Sequence, residues 1–283
     1  METKLLELAT HTHIISAQWL HNHLEDPDLV IFDCRFDLMD GDRGEQAYRQ
    51  EHIPGAHYLH LNRDLSGPLG QHGGRHPLPN PQTLAETLNQ RGVTPTSQVI
   101  AYDNSRFAFA ARLWWLLRWL GHDAVAILDG GYGAYKAAGY PTCSQIPELK
   151  APNALPFIPQ VRQDWVVARS GVEAAQKNPK TVILDAREPQ RYRGEVEPID
   201  PIAGHIPGAL NYPWKAITND QGFLESQEIL TQHWQDIQNY EQVIVYCGSG
   251  VTACVDLLGL AQVGLDHGQL YAGSWSDWCS YST

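Results

Sequence analysis

Short apolar runs alternate with longer stretches of helical spacing along the whole chain. Residues 30–33, 99–102 and 124–128 read as strands in the first half, and 182–185 and 243–246 in the second. Between them lie helical patterns at 81–90, 108–119, 226–237 and 253–263. Asn80 and Pro81 suit the N-cap and first position of the earliest helix. In the last, apolar residues at 254, 257, 258 and 261 recur at the three-to-four spacing of one helix face. Strands that alternate with helices imply an α/β fold, a parallel sheet covered on both faces.

The pattern is written twice. Val30-Ile31-Phe32-Asp33 returns as Val182-Ile183-Leu184-Asp185, and His52-Ile53-Pro54-Gly55-Ala56 returns unchanged from His205 to Ala209. Gln98-Val99-Ile100-Ala101-Tyr102-Asp103 returns as Gln242-Val243-Ile244-Val245-Tyr246-Cys247, and Leu128-Asp129-Gly130-Gly131-Tyr132 is echoed from Leu270 to Ser274. A collinear repeat of this length is a duplicated domain and not a solenoid. The copies lie closer in register after the third motif, so the first half carries about nine extra residues, placed in the Gly-, Pro- and His-rich segment 66–79. Pro141, Pro147, Pro152, Pro156 and Pro159 make the join an extended linker. The expected organisation is a domain over 1–140, a linker over 141–164 and a second domain over 165–283, the two facing each other.

Composition narrows the function classes. The chain has 283 residues, 43% of them hydrophobic and 18% charged, an ordinary globular mixture. A net charge of −12 speaks against binding nucleic acid through its phosphates. The most apolar run, 107–121, is interrupted by Arg112 and Arg118 and is too short to span a membrane. Glu2, Lys4 and Glu7 leave no secretory leader visible, so a cytoplasmic protein is expected. Five scattered cysteines are expected to be reduced thiols, and no C-x-x-C pair suggests a metal site.

One cysteine stands apart. Cys247 ends a buried-type strand and precedes Gly248-Ser249-Gly250-Val251-Thr252 and a helix. Ligands of open α/β sheets bind at the carboxyl ends of strands. The helix N-terminus and loop N–H groups favour a thiolate there, and the glycines let the backbone wrap around the sulfur. A Cys-x5-Arg phosphatase loop would need arginine at position 253, which is Ala253. Without a cation in the loop, a phosphate dianion is poorly held. Cys34, Cys143, Cys254 and Cys279 lack such a context and read as structural. Trp114, Trp115 and Trp119 share one helix pattern and read as packing residues, and the acidic run 195–200 reads as a solvated loop.

The tandem halves, the two His-Ile-Pro-Gly-Ala segments, Asp185-Ala186-Arg187 and the Cys-Gly-Ser-Gly-Val-Thr loop resemble the two-domain rhodanese-like sulfurtransferases, over residues 15–279. The loop is similar to that of the 3-mercaptopyruvate branch; thiosulfate-using members typically carry Cys-Arg-Lys-Gly-Val-Thr. The resemblance implies two rhodanese-like domains, no cofactor, and a persulfide on Cys247 cradled by Gly248, Gly250, Val251 and Thr252. The donor is a small anion, 3-mercaptopyruvate or alternatively thiosulfate. The acceptor is cyanide, a small thiol or a protein thiol such as thioredoxin. The first half becomes a non-catalytic copy, with Asp103 in the place of Cys247. The resemblance also implies a relay of His76, Ser249 and an aspartate; that position is Asn62 here, with Asp64 two residues on. It maps the substrate arginine onto Arg191. The family's second arginine has no counterpart in 194–201, which leaves Arg75 or Arg63 to reach across from the first half. Arg187 reads as a structural ion-pair residue. A second reading is a non-catalytic sulfur carrier or interaction module, against which the intact Cys247 loop speaks.

Overall fold

The computed structural model describes residues 10–149 and 155–281; Glu2, Lys4 and Glu7 lie outside them, as do residues 150–154 of the linker. The two halves fold into two sheets in which every strand pair is parallel. The first sheet has the order β1-β5-β4-β2-β3, built from β1 (Ile14–Ile15), β2 (Leu29–Asp33), β3 (His57–Tyr58), β4 (Gln98–Tyr102) and β5 (Val125–Leu128). The second has the order β7-β6-β8-β9, from β6 (Thr181–Asp185), β7 (Leu210–Asn211), β8 (Gln242–Tyr246) and β9 (Gly268–Leu270). The duplicated motifs occupy equivalent registers: Asp33 pairs with Tyr102 in one sheet and Asp185 with Tyr246 in the other.

Alternation along each strand sends side chains to opposite faces. Val30, Phe32, Val99 and Ala101 join Val182, Leu184, Val243 and Val245 in one buried cluster shared by both halves. Ile31, Ile100 and Tyr102 enter a separate outer cluster in the first half, and Ile183, Ile244 and Tyr246 its counterpart in the second. The shared core forms because α4 (Ala110–Trp119) packs against α9 (Ala253–Gln262). Trp114, Trp115 and Trp119 are buried there, as the helix pattern suggests. Among the described residues no helix is long and apolar enough to cross a membrane.

Local signals set the helix ends. Asn80 caps α3 (Pro81–Gln90) by accepting the N–H groups of Gln82 and Thr83. The pattern at 226–237 divides: α8 (Gln227–His233) is capped by Ser226 and gives way to a 3-10 turn over Gln235–Ile237. The remaining helices of the cover include α1 (Ala17–Asn22), α2 (Arg43–Gln50), α5 (Gly131–Ala137), α6 (Arg169–Ala175) and α10 (Ser274–Cys279).

Candidate active site

Cys247 follows the last residue of β8, the central position where β6 and β9 flank the strand. It is almost fully buried. Its sulfur accepts the N–H of Gly250 at 3.2 Å, and its own N–H donates to Ser274 Oγ at 3.1 Å. The N–H groups of Trp275 and Ser276 bind the carbonyls of Cys247 and Gly248, so the start of α10 holds the loop from outside. Gly250 has φ +76°, and a Cβ there would stand 2.3 Å from the Ala272 carbonyl, so only glycine lets the chain turn back over the sulfur. Among the described residues the N–H groups of Ser249, Val251 and Thr252 bond to no protein acceptor. All five cysteines are unpaired.

The segment inserted in the first half crosses to this loop. His72 hydrogen-bonds Ser280 Oγ and stacks on Tyr281, while the N–H groups of Gly73 and Arg75 donate to Asp277 and Ser276. His76 Nδ1 then meets Ser249 Oγ at 2.8 Å. Burial, aided by Arg112 and Arg75, holds the His76 imidazole far below its ordinary range, at about 3. The ring is therefore neutral at physiological pH, and it orients the Ser249 hydroxyl as a hydrogen-bond partner without carrying charge.

Arg112 is a functional residue that sequence reasoning missed. On α4 of the first half and fully buried, it donates to the carbonyl of Gly250 at 3.0 Å and to those of Leu65, His76 and Pro77 at 3.2–3.4 Å. One guanidinium thus fastens the Cys247 loop to the segment that carries His76. Its signal in the sequence was an arginine, one of two, interrupting the chain's most apolar run.

Two more guanidiniums lie beside Gly248. Arg191, on the short helix α7 (Pro189–Tyr192), binds Glu197 through Nη2 at 2.7 Å and Asp200 at 3.3 Å. Arg75, from the first half, pairs with Asp200. Arg75 Nη2 lies 3.1 Å, and Arg191 Nη1 3.4 Å, from where a Gly248 Cβ would stand, and neither nitrogen has a partner among the described residues. The run 195–200 is a solvated loop only in part: residues 195, 196, 198 and 199 are exposed, but the Glu197 and Asp200 side chains turn inward and are 3% exposed. The reason is charge balance, since Arg75, Arg187 and Arg191 converge there and need counterions. Arg187 pairs with Asp185 and Glu197, in the structural role read from its place after β6.

Other candidates sit elsewhere. Asp64 accepts the His60 N–H at 2.7 Å and faces Arg91; no hydrogen bond or ion pair joins it to His76. Arg63 binds Glu45 within the first half, leaving Arg75 as the residue that reaches across. Thr252 stands at the N-cap of α9 and Val251 is buried beneath the loop.

Two tandem α/β domains, each built on a parallel sheet and sharing one core, define a duplicated fold. The rhodanese-like domain model matches residues 16–138 and again 169–281. A Pseudomonas aeruginosa protein named "Probable 3-mercaptopyruvate sulfurtransferase" is 43% identical over 270 residues, 94% of each chain. An Arabidopsis thaliana "Thiosulfate/3-mercaptopyruvate sulfurtransferase 2" is 31% identical, covering 96% of this chain and 86% of that one. The crystal structure of SseA from Escherichia coli matches with a TM-score of 0.82 at 34% identity, over 94% of this chain and 100% of that chain. The chain belongs to the rhodanese-like sulfurtransferases.

Proposed function

We propose that the protein moves a sulfane sulfur from 3-mercaptopyruvate to a thiol acceptor through a persulfide on Cys247. The observation that carries this reading is the pair of unoccupied donors, Arg75 Nη2 and Arg191 Nη1, converging beside Gly248. Two guanidinium N–H groups suit a carboxylate, and they hold it one residue from the nucleophile. The donor's sulfur then faces Cys247.

The Cys247 thiolate attacks that sulfur, forming an S–S bond as the donor's C–S bond breaks. The electron pair leaves as the enolate of pyruvate, which takes up the thiol proton of the donor to become pyruvate. The persulfide is the intermediate of a covalent, two-stage transfer. Its outer sulfur carries negative charge, which the N–H of Gly250 and the unpartnered N–H groups of Ser249, Val251 and Thr252 are suited to stabilise. Ser249, oriented by neutral His76, adds a hydroxyl to the same ring of donors. An acceptor thiolate, from a small thiol or a protein such as thioredoxin, attacks the outer sulfur and regenerates Cys247. The set of unpaired cysteines fits action in the reducing cytoplasm.

The test is intact-protein mass after incubation with 3-mercaptopyruvate. The wild type gains one sulfur atom, which cyanide removes, and Cys247→Ser gains none. Sulfur loading of Cys247→Ser would overturn the assignment. Parallel turnover with thiosulfate decides the donor: a clear preference for thiosulfate would refute 3-mercaptopyruvate.

A further inference from the structure

We infer that Asp200 sets the charge of the donor this site accepts, selecting monoanions over dianions. The inference rests on the reading that the donor binds at the Cys247 loop, and it concerns a residue that need not touch the donor.

Two cations, Arg75 and Arg191, face Gly248, and two carboxylates stand directly behind them. Asp200 bridges the arginines, pairing with Arg75 through Oδ1 and with Arg191 through Oδ2 at 3.3 Å. Glu197 takes Nε and Nη2 of Arg191 at 3.2 and 2.7 Å. The arginine side chains are 31% and 18% exposed, but both carboxylates are only 3% exposed. The cations therefore reach the cleft while their counterions lie in the protein, poorly screened by water. The receptor is electrically balanced before any ligand arrives.

This arrangement has two effects. It fixes the directions of both guanidiniums, so that one free N–H edge of each is offered to a planar carboxylate. It also fixes how much charge the pair can accept. A monoanion adds one negative charge, whereas a dianion meets the same two cations already neutralised by carboxylates behind them. Burial raises the Asp200 carboxyl above its ordinary range, and Glu197 adds to that, while Arg75 and Arg191 pull it back. Asp200 is thus a positioning and specificity residue, and its removal should change the choice of donor more than the rate of either reaction taken alone.

The experiment compares kcat/KM for 3-mercaptopyruvate and for thiosulfate in wild type, Asp200→Asn and Glu195→Gln. Glu195→Gln alters the net charge by the same amount as Asp200→Asn. Among the described residues Glu195, however, pairs only with the exposed Arg193. The expected result is a shift of the donor ratio toward thiosulfate by about tenfold in Asp200→Asn, with the ratio in Glu195→Gln within twofold of wild type. An equal loss for both donors in Asp200→Asn, or the same shift in Glu195→Gln, would overturn the inference. A folded Asp200→Asn is confirmed by its persulfide loading with 3-mercaptopyruvate; a variant that loads with neither donor also counts against it. Wild-type protein that loads from neither donor refutes the proposed function, which distinguishes that failure from this one.

Discussion

The loop after β4 and the loop after β8 descend from one sequence and solve the same electrostatic problem in opposite ways. In the first half Asp103 fills the loop itself: its carboxylate accepts the N–H groups of Ser105, Phe107, Phe109 and Ala110 at 2.7–3.2 Å. In the second half Cys247 takes one such bond, and the counterpart groups of Ser249 and Val251 remain without a protein acceptor. The first loop thus shows that a loop of this form can hold a carboxylate, its N–H groups opposing the burial that raises the Asp103 carboxyl above its ordinary range; under the proposed function the second offers the same groups to a ligand. The backbone differs in the same sense. Where the second loop has Gly250, the first has Arg106 with φ 56°, a left-handed conformation costing about 1–2 kcal/mol outside glycine. Arg106 offsets that strain by bonding Thr218 Oγ1 and the carbonyls of Thr218 and Asn219 across the interface. One loop is filled from within, and the other leaves its N–H groups open.

The sharpest way to break this contrast is to make the second loop resemble the first. Cys247→Asp should fold, fill the cradle with its own carboxylate and lose sulfur loading altogether, at least a thousandfold below wild type by intact mass, as expected when a covalent nucleophile is removed. Asp103→Ala tests the converse. It strands four buried N–H groups, so urea unfolding should report a loss of about 3 kcal/mol or more, whereas Cys247→Ala, which removes a single N–H···S bond, should cost much less. Equal losses would mean that the two loops are held in the same way.

The smallest effect concerns His76, through which the second loop depends on the first half. Its imidazole titrates at about 3 in the fold against an ordinary value of 6.5. Between those values the unfolded chain binds the proton and the native chain does not. The stabilisation is therefore complete above about 6.5 and is lost as the pH falls toward 3. His76→Asn should make the pH dependence of unfolding free energy shallower between pH 4 and 6, by up to ~1.4 kcal/mol per pH unit. Urea titrations across that range measure it, and an unchanged slope would place the charged form of His76 in the fold.

The fold was legible because duplication and periodicity are properties of the chain itself. The strand patterns around Val30, Val99, Val182 and Val243 lie within β2, β4, β6 and β8, and Asn80 caps α3. The two-residue strands β1, β3 and β7 were invisible, since a pair of residues carries no period. Cys247, Gly248 and Gly250 could be read locally, because the chemistry and the turn lie in one segment. The electrostatics could not. Glu197 and Asp200 look like a hydrophilic surface run until Arg75 arrives from the other half, and Arg112 looks like an interruption until its four carbonyl partners come together from separate segments. Asp64 shows the reverse: the resemblance put the relay's acid at Asn62, with Asp64 two residues on, whereas the Asp64 carboxylate turns onto the His60 N–H and has no bond to His76.

The guanidinium of Arg112 also bears on how this chain can be divided. A cut in the proline-rich join would leave Cys247 on a fragment whose Gly250 carbonyl had lost its donor, and whose loop had lost both the imidazole and one of the two guanidiniums beside Gly248. The first half is therefore not vestigial. It is the mould in which the second half is cast, and a transplant of the second half alone would carry Cys247 without the contacts that hold its loop.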